Sequence, residues 1–107
     1  MRFLFALGLV SACAKADPAV EAVLSLEGDT TAGAAVWETC AACHGENGEG
    51  GVGPPMTEHA PHHPDEELVG FMIYGTGDMA PVGLEDQEMA DLLAYLRATF
   101  GAYEGDG

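Results

Sequence analysis

At 107 residues the chain supplies one domain at most, and 48% hydrophobic residues describe a globular chain, not a disordered one. One Trp, three Tyr and four Phe set against 15 Gly and 6 Pro leave little bulk for a core, so a large bound cofactor would help to fill it. The 18 Asp and Glu outweigh three Lys and Arg, a formal net charge of −15 that argues against nucleic acid as a partner and suits a basic one.

Residues 1–13 read MRFLFALGLVSAC. Arg2 and the apolar run Phe3 to Val10 fit a signal peptide, and the run is far short of the ~20 residues that span a bilayer. The tetrapeptide Val10-Ser11-Ala12-Cys13 looks like a bacterial lipobox, in which cleavage precedes the Cys and the thiol takes a diacylglycerol. Residues 1–12 are therefore expected to be a lipoprotein-type signal peptide, and 13–28 a lipidated N-terminus and flexible tether in which AVEAVLSL forms at most a transient helix. A lipid-anchored Cys13 puts the protein on the periplasmic side of a bacterial membrane. An ordinary signal peptide with a chance Cys leaves it soluble in the periplasm.

A domain is expected over 29–101, followed by a disordered tail over 102–107. Asp29 or Thr30 can cap a first helix through AGAAVWETC, where the interior Gly33 costs about 1 kcal/mol relative to Ala and suggests a close backbone neighbour. A second helix is expected over Pro64 to Tyr74, opened by Pro and three acids and ended by Gly75 and Gly77. The third, LEDQEMADLLAYLRATFG, places Met89, Leu92, Leu93, Leu96 and Phe100 on one helical face. No strand-like alternation appears, so the fold class is all-α. Between the first two helices runs HGENGEGGVGPPMTEHAPHHP, a Gly- and Pro-rich stretch too long for so small a domain unless it wraps something.

CAACH, Cys40 to His44, admits three chemistries: a redox thiol pair, half a zinc site, or attachment of a c-type haem. Haem attachment needs this spacing, because two thiols must meet two vinyl groups while the next residue offers an imidazole to the iron. Zinc needs two further ligands, which His59, His62 and His63 supply only nominally. A thioredoxin-like pair belongs beside a βαβ pattern, which is absent. Haem is the favoured reading. For the far side of the iron, Met79 in the irregular loop GTGDMAPVG is the best candidate, with Met56 after the Pro-Pro turn as a rival; Met72 and Met89 read as core.

From about Thr30 to Phe100 the chain resembles a small class I cytochrome c, carried by GAAVW before CAACHG, then GVGPP, GDMAP and DLLAYLRATF. The resemblance implies three main helices and long Gly/Pro-rich loops around one covalently bound haem c and its iron. It implies thioethers from Cys40 and Cys43, proximal ligation by His44, distal ligation by Met79, and a Pro54 carbonyl that orients His44. It further implies that Gly33 and Trp37 pack on Leu92 and Tyr95. The His-rich HAPHHP lies outside the shared pattern and reads as a solvated, Pro-stiffened loop, with an alternative axial ligand or a pH-sensitive patch as the functional options.

The expected function is that of a one-electron carrier, not an enzyme, with redox proteins bearing a basic docking surface as partners. The alternatives are a five-coordinate haem with peroxidatic or gas-binding activity, and a cytochrome subunit of a larger oxidoreductase complex.

Overall fold

The computed structural model describes residues 17–105, all of whose regular structure is helical. The signal-peptide reading of 1–12 and the lipidation reading of Cys13 lie outside the described residues, as do the last two residues of the tail. Helices α1 (Pro18–Leu24), α2 (Thr30–His44), α3 (Met56–His62), α4 (Asp65–Tyr74) and α5 (Asp86–Phe100) follow in chain order.

The three expected helices are α2, α4 and α5. Asp29 caps α2, its carboxylate accepting from the Thr31 and Ala32 N–H groups, and the helix runs on to His44, so that all of CAACH lies on it. Pro64 is the N-cap of α4 and not its first residue, because three acids fill the first turn after it. A reciprocal capping box between Glu85 and Glu88 opens α5. Gly75 and Gly101, both at positive φ, end α4 and α5.

α5 touches each of the other four helices, most extensively α2. Where α2 and α5 cross, a Cβ on Gly33 would overlap the Asp91 carbonyl and come within 2.8 Å of the Tyr95 Cβ. The backbone neighbour that Gly33 suggested is thus Asp91, one residue from Leu92. Trp37 meets Tyr95 with centroids 5.9 Å apart, and Phe100 at 5.3 Å.

The flexible tether expected over 13–28 is corrected from Pro18 onward. Asp17 caps α1, Tyr74 donates a 2.7 Å hydrogen bond to the Asp17 carboxylate, and Val20 and Val23 are buried against α4 and α5. Burying each valine is worth roughly 1.5 kcal/mol or more, which holds a seven-residue helix that would not persist alone. Beyond α1 the Asp29 N–H donates to the buried Asp91 carboxylate, and Gln87 donates to both that carboxylate and the Glu27 carbonyl.

Two further corrections concern the loop and the tail. The Gly/Pro stretch contains α3, so HAPHHP is only partly loop; Met56 and Ala60, one turn apart, are buried. The start of the tail is ordered, with the Glu104 N–H donating to the Pro61 carbonyl at 2.9 Å. Arg97 closes this region: Nε pairs with Asp65 at 2.7 Å, Nη1 donates to the Ala60 and Gly101 carbonyls, and Nη2 donates to the His63 carbonyl.

Candidate functional site

The helices leave a mainly apolar pocket of about 460 Å³, partly open to solvent, between the C-terminal half of α2, helices α3 to α5 and the loop after α4. Cys40 and His44, one turn apart on α2, both line it, as does Met79 from the loop. Leu68, Phe71, Met72, Val82, Leu92 and Leu96 supply walls that exclude water. Cys43 is exposed beside the pocket, and neither cysteine is in a disulfide.

The loop that follows α2 is folded around the His44 imidazole. Cys43 and His44 carbonyls accept from the Gly53 and Gly50 N–H groups, bringing Pro54 over the ring, and His44 Nδ1–H donates to the Pro54 carbonyl at 2.8 Å. Nε2 is thereby left as the unprotonated nitrogen. Gly53 is required here: a Cβ on it would lie 2.7 Å from His44 Cε1 and 2.8 Å from Nδ1. Trp37 lies 6.2 Å from the imidazole and anchors its own Nε1–H on the Glu46 carbonyl at 3.2 Å.

The second loop presents Met79. Gly75 turns at φ +76, the Thr76 N–H donates to the Met79 carbonyl at 2.8 Å, and the Thr76 hydroxyl accepts from the Asp78 and Met79 N–H groups. The Val82 N–H then returns to the Met72 carbonyl. A six-residue excursion is thus pinned at both ends, so the Met79 side chain is delivered to the pocket by fixed backbone.

The donor set fits a bound haem and not the rival chemistries of CAACH. Burial pushes the Cys40 thiol up from its ordinary pKa, partly offset by a hydrogen bond with Thr39, so it is not the low-pKa thiolate a redox pair needs. Among the described residues no group of three or more His, Cys, Asp or Glu is arranged to hold a metal ion, so nothing in the geometry favours the zinc reading over haem. The His44 imidazole nitrogen, the Met79 thioether sulfur and the Cys40 thiol, set among apolar walls, are groups that suit a porphyrin and its iron.

Sequence reasoning missed part of this lining. His59, placed in a solvated loop, is half-buried on α3 and lines the pocket, as do Leu68 and Phe71. The signal was the Met56–Ala60 spacing, one turn of helix, with His59 on the same side as Met56. Met56 itself reaches the same pocket as Met79. His62 and His63 are turned outward, Nδ1 of each donating to the Glu58 carbonyl and the Glu67 carboxylate respectively.

An apolar pocket in which helix-borne His44 and loop-borne Met79 meet, beside a Cys pair, fits a haem-binding electron-transfer domain. The family model described as cytochrome c oxidase, cbb3-type, subunit III, matches residues 28–96. A cytochrome c-553-like protein of Synechocystis sp. is 36% identical over 83 residues, which are 76% of this chain and 79% of that protein. The chain belongs to this cytochrome c family. Among solved structures it is similar to cytochrome cL of Hyphomicrobium denitrificans, with 32% identity, a TM-score of 0.54, and 77% of this chain and 51% of that one covered. Cytochrome cL of Methylophaga aminisulfidivorans shares the fold, at 24% identity and a TM-score of 0.55 over 85% of this chain and 57% of that one. The chain thus spans little more than half the length of these two structures.

The cofactor of the family is haem c, covalently bound with its iron, and its small members transfer electrons between redox partners and are not enzymes. Cytochromes c are typically exported, and among the described residues no helix is long and apolar enough to cross a membrane.

Proposed function

We propose that this protein is an exported, single-haem, one-electron carrier, tethered through a lipidated Cys13 to the periplasmic side of a bacterial membrane and working in a respiratory chain. The observation that carries the reading is the convergence of Cys40, His44 and Met79, from a helix and a distant loop, on one apolar pocket. In this reading Cys40 and Cys43 would hold the porphyrin by thioethers, and His44 Nε2 and the Met79 sulfur would ligate its iron. When bound, haem c supplies one-electron exchange between ferrous and ferric iron. The Pro54 carbonyl fixes the imidazole through Nδ1–H, the Thr76 turn fixes the Met79 loop, and the walls keep water out, so little of the chain has to move between oxidation states. The acidic surface steers a basic partner to the site at a rate that falls as salt rises.

Ferric protein matured with covalent haem should show the weak Met–iron charge-transfer band, and Met79→Ala should abolish it, lower the reduction potential and leave the thioether-bound haem in place. A high-spin wild-type spectrum with ready CO binding would instead establish the five-coordinate alternative, and absence of covalent haem would end the reading. The tether has its own measurement: Cys13→Ser should move the protein from the membrane fraction to the soluble periplasm, and unchanged membrane association counts against lipidation. A subunit role is the second reading, favoured by the oxidase-subunit description of the matching family. Co-migration of the solubilised protein with a larger membrane complex supports it.

A further inference from the structure

We propose that His59 is a redox-linked proton site, protonating when the protein accepts an electron and deprotonating when the electron leaves. The proposal rests on the one-electron-carrier reading. Its ground is the position of one imidazole in two environments. The ring lines the apolar pocket together with His44 and Met79, and it also lines an outer groove with Pro54, Pro55, Glu58, His62 and His63. No other titratable side chain among the described residues lines both.

The ring is held by packing. It stacks on Phe71 at 5.6 Å with an interplanar angle of 21°, and His63 meets it edge-on at 4.5 Å. His63 is in turn hydrogen-bonded at 2.8 Å to the exposed Glu67 carboxylate, which puts a solvent-facing acid–base pair directly beside His59. The other titratable and charged groups around it are Glu58 and His62 on its own helix, His44 from α2, Glu67 from α4, and Arg97 from α5. Arg97 is bound to the Ala60 and His63 carbonyls and paired with Asp65. Burial, first, and then the nearby His63, His44 and His62 hold the imidazole below its ordinary pKa of 6.5. Neutral at pH 7, it has a lone pair open to a proton.

The sign follows from charge. An electron entering the pocket makes it more negative by one unit, which favours the imidazolium, so the His59 pKa is higher in the reduced protein. One electron arrives from the reduced partner and one proton arrives from water onto a ring nitrogen of His59; on oxidation both depart, and no bond between heavy atoms is made or broken. Two unit charges about 10 Å apart at an effective dielectric of about 20 change a proton affinity by on the order of tenfold. The potential then falls with rising pH between the His59 pKa of the oxidised protein and that of the reduced one, and is flat outside that window.

Spectroelectrochemistry of the holoprotein from about pH 4.5 to about pH 8 spans the ordinary histidine range. A tenfold difference in affinity should appear as a fall of about 59 mV across the window. NMR titration of the His59 ring in each oxidation state should give the higher pKa in the reduced protein. His59→Gln should flatten the potential, while His62→Gln, which lies outside the pocket, should leave the slope intact. A flat wild-type potential, the same His59 titration in both states, or a slope that survives His59→Gln would each overturn the proposal. If His59→Gln fails to fold, the wild-type NMR titration decides. Reversible cycling with a flat potential sinks this inference alone, whereas absence of covalent haem sinks the carrier reading with it.

Discussion

Arg97→Leu is expected to destabilise the holoprotein by about 2–4 kcal/mol, seen as a lower denaturant midpoint with little change in slope. The exposed half of the Asp65 ion pair contributes little of this, because an ion pair open to water is worth about 1 kcal/mol at most. The greater part comes from the carbonyls of Ala60, His63 and Gly101, which lose their donor together. Ala60 is fully buried, and without Arg97 its carbonyl keeps only the long 3.4 Å bond from the His63 N–H; a poorly satisfied buried carbonyl costs about 1–3 kcal/mol. Pro64 has no N–H to give the Ala60 carbonyl four residues back, so α3 stops at His62 and the Arg97 guanidinium supplies a donor that helical continuation would have provided. Arg97→Lys should recover only part of the loss, since a single ammonium cannot match a planar fork that reaches four oxygens. A midpoint within about 1 kcal/mol of wild type in the Leu variant would show that water replaces the fork.

Gly33→Ala is expected to cost about 3 kcal/mol or more, although alanine is the better helix former by about 1 kcal/mol. The added methyl would lie against the Asp91 carbonyl carbon at 2.7 Å and the Tyr95 Cβ at 2.8 Å. Both are backbone or backbone-proximal atoms with no rotamer to turn aside, so α2 and α5 must separate. Trp37, Tyr95 and Phe100 then lose contact with one another, and the pocket walls supplied by Leu92 and Leu96 move with α5. Retained stability with unchanged near-UV circular dichroism in the Gly33→Ala protein would sink this account of the crossing. Serine at the same place should behave like alanine, because the clash is with the Cβ itself.

How much was legible beforehand depends on whether a residue's partner lies nearby in the chain. Caps, helix periodicity and the CAACH spacing are local, and α2, α4 and α5 follow from them with boundaries off by a few residues. GVGPP followed by a turn back onto His44 is also local, since Gly53 and Pro54 lie within ten residues of the imidazole. The α1 segment was misread as a tether because seven residues have too little intrinsic helicity to announce themselves. Only the Val20 and Val23 spacing hinted that a face would be covered. Helix α3 was hidden by Pro61 and by the polar residues around it, though a proline there removes only one helical N–H and the helix runs on to His62.

The sequence by itself determined the fold class and the three long helices, because each is written in spacings of three to five residues, and the equally short spacing of CAACH points to haem attachment. Tertiary structure alone decided that Met79, Met56 and His59 share one pocket, that Asp91 is the neighbour Gly33 must clear, and that Arg97 ties α3, α4 and the end of α5 together. These are contacts between residues far apart in the chain, and their geometry exists only after α5 has packed against the other four helices.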